Sequence, residues 1–186
     1  MKAIYDKIVD LIEDNQTGAY CTVVDTKGST PQKPGSKLLI LPNLQNIGTL
    51  GGGCVEAEAR QQAIQLMQDG KPRLLEFQLN SDYGWDDGLI CGGNMRIFID
   101  IPQSELELEI FTRLRELSDQ KIPLVFATII ESEAKNQIGS KLLVSTHGHR
   151  FGALGDQGLE TEIEEQLDKL LEDNTPSIIR SKNDAV

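Results

Sequence analysis

The feature that most constrains how this chain can fold is a copy of its own sequence, displaced by 104 residues. Residues 35–72 align without a gap to residues 139–176, and 14 of the 38 aligned positions are identical. The matches include the run Gly-Ser-Lys-Leu-Leu, which begins at Gly35 and again at Gly139. A repeat at a fixed offset indicates one supersecondary unit used twice. We therefore expect both segments to form the same strand, hairpin and helix.

Apolar periodicity predicts the same order of elements in both halves of the chain. Each half is predicted to run helix, three strands, helix, strand, and in the second half the last strand falls at 177–180. The first half adds a strand over 95–101. The predicted fold class is α/β, a layered mixed-sheet domain built from two pseudo-symmetric helix-strand-hairpin-helix-strand repeats.

The domain organisation follows from the repeat. We expect a single α/β domain over residues 1–180, made of a site-bearing half (1–101) and a degenerate half (102–180). The polar segment 181–186 is predicted to be a disordered tail. No C-terminal Rossmann domain is expected in this sequence.

Composition and charge exclude several classes of function. The net charge of −11 argues against nucleic-acid binding, which requires a basic face. No apolar run approaches the ~20 residues that a membrane span needs. Three widely spaced cysteines do not form a disulfide framework. We therefore expect a cytoplasmic protein with reduced thiols and neither nucleic acid nor a membrane as its partner.

The two copies differ where a functional site would lie. The first copy reads Gly51-Gly52-Gly53-Cys54 at the start of a predicted helix, and the second reads Gly-Asp-Gln-Gly from Gly155. Glycines allow a close approach of the backbone to a ligand, and the start of a helix favours an anion or a thiolate. Cys54 is therefore the first candidate for a reactive thiol. The alternative is a small, buried apolar residue.

Two further segments are candidates for the same site. Cys91, Gly92 and Gly93 precede a predicted strand, where the glycines could instead form a bulge or a tight turn. Ser29, Thr30 and Pro31 form a loop that the second half lacks, although serine and threonine before proline are also ordinary turn residues. Cys21 lies within a predicted strand and is expected to be part of the core.

Other chemistry is not favoured by the sequence. Lys37 resembles a phosphate ligand, but Lys141 repeats it in the degenerate half, so a structural pairing is expected for both lysines. His147 and His149 occupy a predicted hairpin tip in that half, and we predict no metal site there. The glycine loop does not have the spacing of a dinucleotide-binding fingerprint.

Four motifs in order resemble the N-terminal region of the XdhC/CoxI family, over nearly the whole chain. They are Gly28-Ser-Thr-Pro31, Gly35-Ser-Lys-Leu-Leu39, Gly48-Thr-Leu-Gly-Gly-Gly-Cys-Val-Glu-Ala57 and Gly88-Leu-Ile-Cys-Gly-Gly93. Members of that family are accessory factors for xanthine dehydrogenase and related molybdenum hydroxylases. The resemblance implies transient binding of the molybdenum cofactor (molybdopterin), support of its sulfuration by a cysteine desulfurase, and delivery to the apo-enzyme of a molybdenum hydroxylase.

The resemblance places the reactive thiols at Cys54 and Cys91. The expected cofactor-binding residues are Ser29, Thr30, Pro31, Gly51, Gly52, Gly53, Cys54, Glu56, Cys91, Gly92 and Gly93. A helix start and glycine amides suit an anion, and thiols suit molybdenum or a sulfur carrier.

Three functions remain open from the sequence. The first is a cofactor chaperone for a molybdenum hydroxylase, rather than an enzyme that turns over a free metabolite. The second is a sulfur-transfer or redox enzyme in which Cys54 attacks and Cys91 resolves. The third is a non-catalytic dimerisation module, either a homodimer or a chain whose partner supplies a Rossmann domain.

Overall fold

The chain folds into two compact units of helices and antiparallel sheets. The structure is a computed structural model that describes residues 2–79, 93–173 and 175–181. The glycine-loop unit is Thr17–Ile101, and the terminal unit combines Met1–Gln16 with Pro102–Val186. In chain order the elements are α1 (Lys2–Glu13), β1 (Ala19–Lys27), β2 (Lys37–Ile40), β3 (Asn46–Gly48), α2 (Gly53–Asp69), β4 (Arg73–Gln78), β5 (Asn94–Asp100), α3 (Glu105–Asp119), β6 (Leu124–Thr128), a 3₁₀ helix (Lys135–Gln137), β7 (Lys141–Ser145), β8 (Arg150–Gly152), α4 (Gln157–Glu165) and α5 (Leu167–Asp173).

The glycine-loop unit is a five-stranded sheet in the order β3-β2-β1-β5-β4. Side chains alternate between the two faces of a strand, and in β1 the residues Ala19, Cys21 and Val23 point into the core beside Leu38 of β2. Helix α2 covers this face with Val55, Ala59, Ala63 and Leu66. The predicted burial of Cys21 is confirmed, and burial raises the pKa of its thiol.

The terminal unit is a three-stranded sheet in the order β6-β7-β8, with helices on both faces. Leu142 and Val144 of β7 pack with α4 on one face. On the other face α3 places Phe111 edge-on to Phe126 of β6, with ring centroids 5.7 Å apart. Helix α1 packs along α3. Because α1 buries its apolar stripe there, it belongs to this unit and not with residues 17–101, the grouping expected from the sequence.

The α/β class is confirmed, but the expectation of a mixed sheet is wrong. Every strand pair in the described residues is antiparallel. The physical reason is the short length of the connections between neighbouring strands. The hairpins β2–β3 and β7–β8 reverse the chain through short turns, and parallel neighbours would need a long crossover between them.

The predicted strand at 177–180 is also wrong, because the described segment 175–181 has no regular structure. In the glycine-loop unit the corresponding strand, β4, pairs with β5. The three strands described in the terminal unit are counterparts of β1, β2 and β3, so among them no counterpart of β5 is present for this segment to pair with.

The hairpins of the two units share one register at the offset of the sequence repeat. In the first hairpin Leu38 faces Gly48, and in the second Leu142 faces Gly152. The following helix differs, because it is continuous in α2 and divided into α4 and α5 in the terminal unit. Superposition of the complete segments 35–72 and 139–176 stays a prediction.

Candidate functional site

The glycine loop between β3 and α2 has a backbone that only glycine adopts easily. Gly51, Gly52 and Gly53 have φ angles of 107°, 77° and 59°, in the region where a side chain is strained. A Cβ atom at Gly51 would lie 2.5 Å from Cβ of Pro31, whereas one at Gly52 would meet no atom within 4 Å. The run of glycines therefore has two causes, which are backbone conformation at all three positions and close packing at Gly51.

A single carboxylate oxygen holds this loop in shape. Oε1 of Glu56 accepts hydrogen bonds from Thr49 Oγ1 at 2.6 Å, from the Leu50 N–H at 2.9 Å and from the Gly52 N–H at 3.0 Å. The Gly51 N–H donates to Thr49 Oγ1 at 3.0 Å. Burial raises the pKa of Glu56, but these three hydrogen bonds outweigh burial and lower it overall. The first amides of the loop are thus already bound by the protein itself.

The start of α2 lies beside these engaged amides and carries Cys54. Gly52 is the residue before the helix and supplies no side-chain hydrogen bond to its first turn. Cys54 is the second residue of α2, and its thiol is free and exposed. An exposed thiol next to helix N–H groups without a side-chain cap combines a nucleophile or metal ligand with donors for an anion.

One other predicted segment lies against the glycine loop, and a residue of the second lies against the first. Pro31 packs on Gly51, as the 2.5 Å approach shows. Gly93 packs on the backbone of the Ser29–Pro31 loop, because a Cβ there would lie 2.3 Å from the Ser29 carbonyl oxygen and 2.8 Å from that of Lys27. The structure therefore brings Ser29–Pro31 and Gly51 together, and brings Gly93 onto the Ser29 backbone.

The structure gives different results for the remaining residues that were predicted to form the site. Thr30 Oγ1 donates to the Gln32 carbonyl at 2.9 Å, so its hydroxyl stabilises the turn. Cys91 and Gly92 lie outside the described residues, and their place in the site stays a prediction. Glu56 was expected to bind the cofactor. The structure gives its Oε1 a second role, which the sequence analysis missed.

The terminal unit builds the same carboxylate clamp at the matching position. Oε1 of Glu160 accepts from the N–H groups of Leu154 at 2.6 Å and Gly155 at 3.1 Å, and its other oxygen binds Arg150. Glu160 follows Glu56 by the 104-residue offset. The recurrence of glutamate in both copies was the available sequence signal for a structural role.

The two units differ at the residue before the helix. Asp156 stands where the glycine-loop unit has Gly52, and its Oδ1 accepts from the Leu159 N–H at 3.0 Å. Its Oδ2 accepts from Ser181 Oγ at 2.7 Å. Both interactions lower the pKa of Asp156, with the Ser181 hydrogen bond as the larger cause. A carboxylate of the protein therefore occupies a helix start whose counterpart in α2 is open.

The matching lysines of β2 and β7 also differ. Lys141 Nζ forms an ion pair with Glu107 Oε1 and a hydrogen bond to the Gly139 carbonyl at 2.8 Å. Lys37 Nζ lies 5.4 Å from the centre of the Tyr20 ring, and no ion pair or hydrogen bond joins its amino group to any described residue. The expected structural pairing is confirmed for Lys141 as an ion pair, whereas the described partner of Lys37 is an aromatic ring and not an anion.

The two histidines form their hydrogen bonds within their own hairpin. His149 Nδ1 lies 3.0 Å from Ser145 Oγ. In the part of the chain that the structure describes, no three or more histidine, cysteine or acidic side chains are grouped as a metal ion would require. Among the same residues, no helix has the length and apolar character to cross a membrane.

Comparison with known proteins assigns the family. The family model described as the XdhC and CoxI family matches residues 11–78 and 117–181, which together are well over half of the chain. The chain belongs to the XdhC and CoxI family. This assignment covers both units and includes the glycine loop, the Ser29–Pro31 loop and the terminal-unit counterpart of the site.

Three curated relatives of this family member match about half of it. They are the uncharacterized protein YqeB of Escherichia coli (33% identity, 53% of this chain and 18% of the relative), a probable xanthine dehydrogenase subunit of Bacillus subtilis (30%, 47% and 27%) and the molybdenum cofactor insertion chaperone PaoD of Escherichia coli (26%, 48% and 28%). The match therefore spans less than a third of the length of each of these relatives.

A solved structure shares the fold of this family member. It is a crystal structure described as a xanthine dehydrogenase from Bacillus halodurans, with a TM-score of 0.66 and 20% sequence identity. The match covers 87% of this chain and 49% of the other. At this identity the likeness shows the fold alone.

Proposed function

We propose that the protein is an accessory factor that binds the molybdenum cofactor and assists its sulfuration and insertion into a xanthine dehydrogenase-type molybdenum hydroxylase. The observation that carries the proposal is the exposed Cys54 at a helix start without a side-chain cap, in a chain of the XdhC and CoxI family. The name of one relative, a molybdenum cofactor insertion chaperone, supports the same role.

The described residues fit this cargo in part. The cofactor brings an anionic pterin phosphate and a molybdenum centre that accepts sulfur ligands. The N–H groups of Leu50, Gly51 and Gly52 are engaged within the loop, so we assign the anion to the first turn of α2. The space above Gly52, where a Cβ would meet nothing within 4 Å, leaves that turn accessible.

Cys54 would act either as a sulfur ligand or as a sulfur carrier. As a carrier, its thiolate attacks the outer sulfur of a persulfide on the cysteine desulfurase. A new S–S bond forms on Cys54, the S–S bond of the desulfurase breaks, and the released desulfurase thiolate takes up a proton. The protein would then meet the apo-hydroxylase in the cytoplasm, and the desulfurase and the hydroxylase are its proposed partners.

We also propose that the two hairpin-and-helix segments are pseudo-symmetric copies, of which only the first keeps a site. The shared hairpin register and the shared glutamate clamp support this. In the second copy the Asp156 carboxylate takes the place proposed for the anion of the ligand.

Two variants separate the proposed roles. Cys54→Ser should leave the fold intact, because the side chain is exposed, and should lose activation of the target hydroxylase in a reconstitution assay. Gly52→Asp should weaken cofactor retention about tenfold or more, since like charges at close range cost on the order of 1 to 4 kcal/mol. The matched control is Gly52→Asn, which carries the same backbone strain without the charge.

The measurements are the molybdenum content and pterin absorbance of protein purified from a cofactor-producing host. Equal retention by folded Gly52→Asp and Gly52→Asn would place the anion elsewhere. A Cys54→Ser protein that activates the hydroxylase as well as wild type would remove Cys54 from the mechanism.

The exposure of Cys54 also favours a second candidate, a sulfur-transfer enzyme that uses this thiol without holding the cofactor. Intact mass after incubation with a desulfurase and cysteine would detect a persulfide on Cys54. A persulfide in protein that never retains molybdenum would favour this second function over the first.

A further inference from the structure

Lys37 is a cation for which the described part of the fold supplies no anion. It belongs to β2 and faces Thr22 of the neighbouring strand, on the same side of the sheet as the pair Tyr20 and Leu39. Its side chain is half-buried, and its amino group lies over the Tyr20 ring at 5.4 Å. Thr22, Tyr20 and Leu39 are uncharged at neutral pH, and Asp100, which lies opposite Tyr20 on the same face of the sheet, forms no ion pair with Lys37. Burial lowers the pKa of Lys37 to about 8.

The terminal unit shows what this position looks like when it is filled. Lys141 occupies the matching place in β7, with a side chain that is 1% exposed, and the carboxylate of Glu107 neutralises it. Glu107 is fixed in turn, because its other oxygen accepts from the N–H groups of Gln103 and Ser104. In that unit, therefore, one carboxylate oxygen of the protein is built to meet this lysine.

We propose that Lys37 is the cationic group of an oxyanion-binding site, and that a carboxylate or phosphate oxygen of a small molecule meets it as Glu107 meets Lys141. A partly desolvated ammonium without a counter-charge is unfavourable, and the ring face of Tyr20 compensates only part of that. A bound anion supplies the missing charge. The site does not depend on the identity of the cargo proposed for the Cys54 region.

A small anion is favoured over an acidic side chain of a protein partner. The lysine side chain is half-buried beside Tyr20 and Thr22 in the sheet, and a small anion reaches such a position without ordering a second polypeptide. Lys37 also accepts the Thr49 N–H through its carbonyl oxygen at 2.9 Å. The strand that carries the lysine is thereby joined to the start of the glycine loop.

The test is the rate at which an amine reagent modifies each lysine of the native protein. Trace acetylation followed by complete labelling with a heavy reagent after unfolding gives this rate by mass spectrometry. Inorganic phosphate and acetate are the two probes, at an ionic strength held constant with potassium chloride. Exposed Lys33 is the internal control for a general effect of salt.

Phosphate or acetate should slow acetylation of Lys37 about tenfold at ten times its dissociation constant, with little change at Lys33. The probe that protects Lys37 at the lower concentration shows whether the site prefers a phosphate or a carboxylate. The protection should persist in Gly52→Asp protein, where the anion proposed for α2 is lost, so the two proposals fail separately. Lys37→Met should lose calorimetric binding of the effective probe, and Lys33→Met should keep it. The proposal would be overturned if neither probe changed the acetylation rate of Lys37. It would also be overturned if polyglutamate protected Lys37 and the two small anions did not.

Discussion

Replacing Lys37 and Lys141 by methionine, one at a time, should change the stability of the protein in opposite directions. The two lysines occupy matching strand positions. Of the two, only Lys141 forms an ion pair with a described residue. Methionine keeps the apolar stem of a lysine and removes its charge. The pair of variants therefore compares loss of a paired cation with loss of an unpaired one in similar surroundings.

The magnitude for Lys37 follows from its pKa. Burial lowers that pKa from 10.5 to about 8, and each pKa unit corresponds to roughly 1.4 kcal/mol, so the charged form costs the folded state about 3 kcal/mol at pH 7. Partial exposure to solvent reduces this figure, so it is an upper limit. Lys37→Met should raise the free energy of unfolding by up to that amount in the absence of phosphate.

Lys141→Met should have the reverse effect. It would leave the Glu107 carboxylate, which is 17% exposed, without its cation. Breaking a buried ion pair by removing one partner costs roughly 3 to 5 kcal/mol. The hydrogen bonds that Glu107 receives from Gln103 and Ser104 remain, so we expect the lower end of that range.

The pH dependence gives a second check with a definite sign. A lysine whose folded pKa lies below its unfolded pKa binds fewer protons in the folded state between the two values. Stability therefore rises with pH across that interval. The advantage of Lys37→Met over wild type should be complete below about pH 8 and should disappear as pH approaches the unfolded pKa of about 10.4.

Urea unfolding followed by far-ultraviolet circular dichroism, in the presence of a reductant, measures these changes. Lys37→Met should shift the midpoint to higher urea and Lys141→Met to lower urea. Two variants that lose stability to the same extent, at every pH, would refute the reasoning, because Lys37 would then be paired as Lys141 is.

Three further predictions concern the glycine loop and the cysteines. Glu56→Gln should weaken the three hydrogen bonds to Oε1 and lower stability by about 1 to 3 kcal/mol. This difference from wild type should vanish as pH falls through the lowered pKa of Glu56, and urea unfolding from pH 7 to pH 3 would show it. Native protein should incorporate iodoacetamide rapidly at Cys54, whereas Cys21 should react only after unfolding; peptide mass mapping decides, and early labelling of Cys21 would contradict its burial. Gly51→Ala should lose more than about 1 kcal/mol of stability, because its Cβ would collide with the Ser29–Pro31 loop, and a calorimetric melting temperature equal to wild type would contradict this.

Most of the element order could be predicted from the sequence, because each strand and helix carries a strong local pattern. The β-branched residues that follow Ala19 are typical of a strand, which forms as β1, and the helical spacing of the apolar residues Val55, Ala59 and Ala63 is typical of a helix, which forms as α2. The prediction failed for an element that forms only when a strand distant in sequence pairs with it. A strand forms at Leu74 and Leu75 because β5 pairs with it, and sequence periodicity does not record which strands will be available.

The candidate site could be predicted in its parts but not in its contacts. Adjacency of Pro31 to Gly51 was expected from asymmetry between the copies, and the packing of these residues bears on it directly. The recurrence of Glu56 as Glu160 was the one sequence signal for the clamp, and it was ambiguous, because a glutamate in a first helical turn also favours the helix dipole. Only the three short hydrogen bonds distinguish a structural carboxylate from a ligand.

The terminal unit serves as an internal control for what the site needs. Glu56 and Glu160 both accept from the matching leucine N–H and from one glycine N–H of their loops, so this clamp explains a glutamate in both copies and does not distinguish the two loops. In the segment Gly51–Cys54 three positions differ between the copies. They are Gly52, where the other copy places a capping carboxylate, Gly53, where it has Gln157, and Cys54, where it has Gly158. A helix start without a side-chain cap and an exposed thiol are features of the glycine-loop unit that the matching positions of the terminal unit lack, and we propose that a function of this loop uses them.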